Sequence, residues 1–421
     1  MGHEPHRMRT LGLCTALHAF THLYQVALLP LYLLIRRDFQ LTHDGQATFL
    51  VTIMGIAYFV PAYPMGILAD RVSRKKLLGT GLFINALGYV GLAFAPTYSS
   101  AIACLLLAGF GGSFFHPAAT ALVAQLFPEA PGRALGRLGI GASLGFFLGP
   151  LYAGWRAAGG HWRTPVLELG ILGVAGAIVF FLLATDHEPA SPDRSEPAHS
   201  EKMFATPALF GLFVLAACLF SLRDFAGSGM ASLSSLFLQH AHDFDPKQTG
   251  LALSCIFLAS GISNPLFGHW SDRGRIRWAA FVLVIAALMI FIFPRVPPED
   301  ASFVFIVYGF FFMANYPMVE AGLMESVHDA VRGRVFGFFI TIGGLVGNLS
   351  HWYVGDRVKR LGSGAAAAAN YFGIYALLAV FVLLALGGLA CLHGIRRREN
   401  EIAPIAPVNF ETAVSNLNPE V

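Results

Sequence analysis

The sequence predicts an all-α integral membrane protein in which twelve transmembrane helices form two pseudo-symmetric six-helix bundles. Three observations point there. Only 13% of the 421 residues are charged, while 55% are hydrophobic; soluble chains carry about 25% charged residues. Twelve apolar stretches each approach the roughly 20 residues that cross a bilayer. Short motifs of the first half recur in the second, displaced by about 200 residues. The same composition excludes a disordered chain, a nucleic-acid binder and a disulfide scaffold. The net charge is only +3, and the basic residues sit in short loops. Cys14, Cys104, Cys218, Cys255 and Cys391 all fall in apolar stretches, where they read as small hydrophobes.

Taken in order, the predicted spans are α1 at 11–35, α2 at 46–68, α3 at 77–95, α4 at 100–126, α5 at 133–156 and α6 at 165–184. The second half supplies α7 at 206–239, α8 at 248–270, α9 at 278–294, α10 at 301–326, α11 at 334–355 and α12 at 370–394. The first stretch is too long for a signal core and has no small-residue cleavage site, so it is expected to be a span. Each stretch is expected to be helical, because backbone hydrogen bonds must close within the segment in lipid. With both termini on the cytoplasmic side, that side collects eighteen of the 28 Lys and Arg residues and the opposite side nine, with Arg223 inside a span. That bias predicts a multi-pass protein with both termini cytoplasmic; the expected location is the plasma membrane, that is, the bacterial inner membrane.

A polar, proline-containing stretch at 186–203 reads as a flexible linker. The expected organisation is an N-terminal bundle at 1–188, a cytoplasmic linker at 189–203, a C-terminal bundle at 204–400 and a cytoplasmic tail at 401–421. Gly66, Asp70 and Arg71 recur as Gly268, Asp272 and Arg273; Pro117 recurs as Pro317; Gly132-Arg133-x-x-Gly136 recurs as Gly333-Arg334-x-x-Gly337. Three matches in order at nearly one offset mark a duplicated half. Parallel six-helix repeats are one of the layouts of secondary transporters.

The stretch GILADRVSRKK at 66–76 resembles the loop signature of the major facilitator superfamily, and GHWSDRGRIR at 268–277 resembles its shorter second copy. GFGGSFFHPAATAL on α4, SLRDFAGSGMASL on α7 and the helix spacing are similar to the fosmidomycin-resistance group of drug exporters. The resemblance implies the major facilitator fold and alternating access. Asp70, beside Arg71, Arg74, Lys75 and Lys76, can accept hydrogen bonds at a facing helix N-terminus. By pseudo-symmetry Asp70 is expected to meet α11 near Arg334, and Asp272, with Arg273, to meet α5 near Arg133. These are the expected gating contacts; the plainer alternative is a topology signal alone. Gly141, Gly145 and Gly149 line one face of α5 and precede Pro150. Such a stripe allows close helix approach, and the resemblance implies that it marks antiporters, hence efflux.

Ionisable groups within spans are functional hypotheses by default. His22 is expected near mid-bilayer on α1, with His18 one turn away on the same face, and His116 in the middle of α4. Arg223 and Asp224 fall centrally on α7, and Asn315 and Tyr316 on α10, with Glu320 and Glu325 nearer the cytoplasm. The resemblance implies that α1, α4, α7 and α10 line a central cavity. The expected substrate-binding residues are therefore His22, His116, Arg223, Asn315 and Tyr316. Arginine stays charged and grips anions bidentately. Being adjacent, Arg223 and Asp224 are expected to diverge, one of them pairing with a neighbouring helix. Glu325 is expected to be solvated or gating and Glu168 interfacial, while Phe114 and Phe115 offer an apolar wall. The arginine that many related exporters carry early in α4 is absent, with Leu105 or Leu107 in its place. Proton coupling is therefore assigned to His18, His22, His116, Asp224 or Glu320.

No enzymatic chemistry is expected. The sequence has no phosphate-binding glycine loop and no metal ligands at usable spacing, so neither a metal nor a cofactor is implied. The expected function is a proton-coupled exporter of small amphipathic or anionic compounds. The alternative is a proton-coupled importer of a polar metabolite or organic anion; a membrane sensor is the third class. The expected partners are a small-molecule substrate, protons and the lipid bilayer, with the chain monomeric and no nucleic acid bound. The topology yields a direct prediction. In a cysteine-free background, Ser195→Cys should resist an impermeant maleimide in intact cells and label once they are permeabilised. Rapid labelling from outside would invert the assignment.

Overall fold

The computed structural model describes residues 4–69, 71–185, 203–271, 274–327 and 331–402. Twelve helices are long and apolar enough to cross a membrane. They are α1 Pro5–Asp38, α2 Asp44–Ala69, α3 Arg74–Phe94, α4 Tyr98–Leu126, α5 Gly132–Arg156 and α6 Arg163–Leu183, followed by α7 Pro207–Ala241, α8 Pro246–Ser271, α9 Arg275–Arg295, α10 Pro298–Met324, α11 Arg332–Ala366 and α12 Ala368–Glu401. The predicted twelve-helix architecture is present. α11 and α12 run well past their predicted C-terminal ends, because these ends are polar helix rather than loop. Arg360 donates to Asp356 at 2.9 Å and Arg397 to Glu401 at 3.1 Å, each one turn apart.

Local chemistry explains where helices start and break. Thr97 with Ser100, and Asp245 with Gln248, form capping boxes at the heads of α4 and α8. A 3-10 turn at Leu29–Leu31, containing Pro30, interrupts α1. α2 breaks between Phe59 and Ala62, at Val60-Pro61. α4 breaks between Gly112 and Phe115, where Pro117 cannot donate to the turn before it. That break orients His116.

Within the first bundle α1 packs on α5, α3 on α6, and α2 and α3 on α4; within the second α7 packs on α11 and α12, and α9 on α10 and α12. The halves meet through α2 against α11 and α5 against α8. Glycines set these distances. A Cβ on Gly141, Gly145 or Gly149 would collide with the backbone carbonyl of Thr15, Ala19 or Leu23 on α1. Gly154 of α5 and Gly250 of α8 face each other's backbone at the carbonyls of Pro246 and Pro150. The stripe predicted on α5 is therefore a packing surface first.

Among the described residues, the hydrogen bonds between the halves gather toward the far side. Gly132, Gly136 and Gly139 on α5, Gly261 and Gly268 on α8, and Gly333 and Gly337 on α11 have no neighbour within 4 Å of an added Cβ. Tyr63 on α2 and Ile262 on α8 are each 69% exposed. These positions lie toward the end that carries Glu4 and Glu401, the terminal side. Among the described residues, the far side carries most of the polar contacts between the halves, and these terminal-side positions have room around them. Close approach makes a prediction. Gly145→Val should lower stability in detergent by about 1–3 kcal/mol through overpacking, whereas Gly139→Ala, into open space, should leave the melting temperature unchanged or slightly raised. Equal melting curves would mean that α1 and α5 do not touch as described.

Candidate functional site

Two polar clusters occupy the bundles, one in each half. In the first half, His18 is buried and His22 half-buried on α1, and His116 of α4 keeps solvent access. His18 Nδ1 lies 2.8 Å from the Leu138 carbonyl of α5. His22 Nδ1 lies 3.0 Å from Gln25 Oε1, and the two Nε2 atoms face each other at 3.0 Å. The His116 ring stands 5.2 Å from His18 and 5.5 Å from His22, centroid to centroid. The ligand atoms of all three lie within 4.8 Å of one another. No metal ligands at usable spacing were expected from the sequence; in the fold, α1 places two imidazoles one turn apart, and the break in α4 brings a third beside them from 94 residues away. Phe115 stacks on His18 at 4.7 Å, as an apolar wall should. Phe114 instead packs on Gly81 of α3.

In the second half, Arg223 is 2% exposed. Its Nε and Nη2 donate to Asp224 Oδ1 at 3.0 and 2.8 Å, and its Nη1 donates to Asn315 Oδ1 at 2.7 Å. Tyr316 donates to the same Asp224 oxygen at 3.1 Å and lays its ring under the guanidinium, 4.3 Å from the centroid. The Asn315 amide donates to the Phe312 carbonyl. The expectation that the adjacent Arg223 and Asp224 would diverge is corrected. The long arginine arm folds back onto its neighbour, and the fork still reaches α10. Glu320, half-buried one turn along α10, is close enough for its charge to act on Arg223 and Tyr316. Five of the six polar residues predicted on α7 and α10 therefore converge; Glu325 does not join them.

The gating residues divide. Asp70, Asp272 and Arg273 lie outside the described residues. Arg71, Arg133 and Arg334 are exposed on the terminal side. Arg74 donates to Gln125 Oε1 of α4 at 2.7 Å, inside its own bundle. Glu325 is not simply solvated: it joins Arg275 at 2.7 Å and Arg396 at 2.9 Å, clamping α9, α10 and α12. Arg7 of α1 pairs with Glu129 of the α4–α5 loop, whose carboxyl is held below its usual range by its own backbone amide and by Arg7. Glu168 pairs with Arg156 and accepts from Tyr152 at 2.7 Å on the far rim.

Sequence reasoning missed the far-side seal. Asp44, buried at the head of α2, accepts from Arg36 at 3.0 Å and faces His240 Nε2 of α7 at 3.1 Å. The neighbouring His43 imidazole is pushed below its usual range by partial burial and by the Lys359 charge. Tyr32 and Ser232 hydroxyls meet at 2.7 Å, and Ser232 meets His351 Nδ1 at 2.6 Å. Ser235 donates to the Leu29 carbonyl at 2.5 Å, and Thr52 to the Asn348 carbonyl at 3.0 Å. At mid-depth Phe146 of α5 stacks on Phe257 of α8 at 4.8 Å and also touches His22 at 4.3 Å. The serine run of α7 was the available signal, but serines in spans usually bond to their own helix.

Known proteins match this arrangement. The family model described as Major Facilitator Superfamily matches residues 11–351. The quinolone resistance protein NorA of Staphylococcus aureus is 23% identical over 341 residues, 77% of this chain and 83% of that protein. The multi-drug resistance efflux pump PmrA of Streptococcus pneumoniae is 26% identical over 341 residues, 78% of this chain and 79% of that protein. Among solved structures, a bacterial homologue of the human lysosomal transporter Spinster, inward-facing and unoccupied, superposes with a TM-score of 0.76 at 16% identity, over 95% of this chain and 99% of that one. The nucleoside transporter NupG superposes with a TM-score of 0.71 at 17% identity, over 91% and 99%. With the family model covering most of the chain, and with twelve spans and a duplicated half, this chain belongs to the major facilitator superfamily of membrane transporters.

Proposed function

We propose that the chain is a proton-coupled exporter of small amphipathic or anionic compounds, working by alternating access with both termini in the cytoplasm. The observation that carries this is the charge balance of the α7–α10 cluster. Arg223 and Asp224 already neutralise each other, and Asp224 is held by three donors from Arg223 and Tyr316. Glu320 is the carboxylate left over. Without a proton it leaves the cluster one negative charge in a low-dielectric site; with one, the cluster is neutral. An amphipathic compound with a positive group and a proton therefore compete for one place, which is the logic of exchange. Two relatives, NorA and PmrA, are named for resistance and efflux.

A specific observation favours the second reading, an importer. An anion reaches Arg223 only when Asp224 lets go, and protonating Asp224 does that. Proton and anion then bind together, which is symport. Flux direction separates the two. In proteoliposomes with an imposed pH gradient, a lipophilic fluorescent cation should move against the proton flow. Glu320→Gln should abolish this proton-driven flux while sparing exchange of labelled for unlabelled dye. Movement of an anionic probe with the protons, sensitive to Asp224→Asn and not to Glu320→Gln, would select the importer.

Two further outcomes test the parts. Arg223→Lys keeps the charge but cannot span Asp224 and Asn315, so turnover should fall at least about tenfold, the loss of one charge-assisted hydrogen bond. Wild-type turnover would make the fork irrelevant. Asp44→Asn weakens the far-side seal without reaching either cluster. A reporter cysteine at Thr48, buried against Gly355, should then label several-fold faster from outside in whole cells. An unchanged rate would remove the Asp44 contacts from the gate.

A further inference from the structure

We propose that His18, His22 and His116 form a binding site for a divalent transition-metal cation of the zinc class, distinct from the α7–α10 cluster and independent of its proton chemistry. Two histidines one helical turn apart on one face can share a metal ion, with a third ligand from another helix. Tetrahedral Zn–N bonds of about 2.0–2.1 Å put ligand nitrogens about 3.3 Å apart. His18 and His22 already present Nε2 atoms 3.0 Å apart, and all three histidines have ligand atoms within 4.8 Å. About an ångström or two of movement in His116 completes the set. The α4 break at Ser113–Phe114, with Pro117 just beyond, leaves that helix turn free to supply it.

The hydrogen bonds around the pair strengthen the assignment. A backbone carbonyl only accepts, so His18 must carry its proton on Nδ1 toward Leu138. His22 Nδ1 faces Gln25 Oε1 and, in that orientation of the amide, also carries the proton. Both Nε2 atoms then turn their lone pairs toward one point, 3.0 Å apart, where a single cation can take both. Metal-bound histidines characteristically donate the other ring N–H to a carbonyl or carboxylate, which fixes tautomer and ring orientation. Leu138 and Gln25 supply those acceptors. Phe115 covers the His18 ring at 4.7 Å and Phe146 the His22 ring at 4.3 Å, holding both in place.

Charge defines the fourth ligand. Among the described residues no carboxylate acts on the three histidines. Three neutral imidazoles leave a bound divalent ion with its full charge, so the position facing the cavity calls for an anionic donor from solution. Tyr58, stacked edge-on against His116 at 6.1 Å and with its hydroxyl unpartnered, borders that position.

The test uses the full chain, purified in detergent with a tag free of histidine and stripped with a chelator. Titration with Zn2+ by calorimetry should give one ion per chain, and Co2+ should give the intense visible bands of a four-coordinate ion. His18→Gln, His22→Gln and His116→Gln should each weaken Zn2+ binding at least about tenfold, while His269→Gln, on an exposed histidine, should not. His116→Cys restores a metal ligand and should recover binding, which separates ligation from misfolding. Failure to bind either ion, or equal affinity in the triple glutamine variant, overturns the site. Neither outcome touches the exporter reading, which rests on the response of flux to Glu320→Gln.

Discussion

The structure turns on one electrostatic requirement: a guanidinium at mid-membrane must be neutralised by the chain itself. Arg223 is almost fully buried, and arginine cannot discard its proton. The desolvation of such a charge is recovered only by excellent local geometry. The chain meets this with one carboxylate, one amide oxygen and one aromatic face, from α7 and α10. Asp224 is thereby spoken for twice, by Arg223 and by Tyr316, and Gly343 and Gly347 of α11 leave room for it where larger side chains would collide. The second bundle is organised around that pair, and the freedom of Glu320 follows from it. A transporter needs one group whose charge is negotiable beside others whose charge is fixed.

The same requirement explains why the far-side seal is built as it is. Among the described residues, the contacts across the halves include Asp44 with His240, hydroxyl and carbonyl hydrogen bonds, glycine-to-backbone approaches and the Phe146–Phe257 stack. Neutral hydrogen bonds are worth about 0.5–1.5 kcal/mol each, and apolar surface gains little by leaving lipid for a neighbouring helix. Such a seal is closed by shape and by several modest bonds, so it can open without stranding a charge in the bilayer. Arg156 with Glu168, and Glu325 with Arg275 and Arg396, are ion pairs that lie within one bundle. Rigid halves with a weakly bonded interface are what rocking motions require.

How far this was legible in the sequence depends on the physical scale of each feature. Spans and repeat were readable, because apolar length and motif spacing are properties of the chain alone. The α7–α10 cluster was readable as a coincidence of depth, but not as a geometry: nothing in sequence tells that Arg223 folds back onto Asp224. The meeting of His18 and His22 followed from their one-turn spacing. The arrival of His116 did not, since it depends on how α4 resumes after Ser113–Phe114. The far-side seal was invisible for a different reason. Ser232, Ser235 and Thr52 look like ordinary span residues, and only tertiary placement turns their hydroxyls toward the other half.

The repeat joins the two clusters into one argument. The offset of 201 that carries Gly132-Arg133 onto Gly333-Arg334 also carries His22 onto Arg223, and the offset of 200 that carries Pro117 onto Pro317 carries His116 onto Tyr316. The pairs remain in contact in both halves: the His22 and His116 rings at 5.5 Å, the Arg223 guanidinium over Tyr316 at 4.3 Å. One ancestral position in the duplicated bundle, where the first and fourth helices approach, has thus been given opposite chemistries. In the second half it holds a permanent cation that its own carboxylate neutralises. In the first half the neighbour that matches Asp224 is Leu23, so no carboxylate stands ready, and three imidazoles present lone pairs instead. A site rich in donors of electron pairs and poor in charge suits a cation that arrives from outside. The asymmetry between the halves, rather than either cluster alone, is therefore what distinguishes this transporter from a simple doubling of six helices.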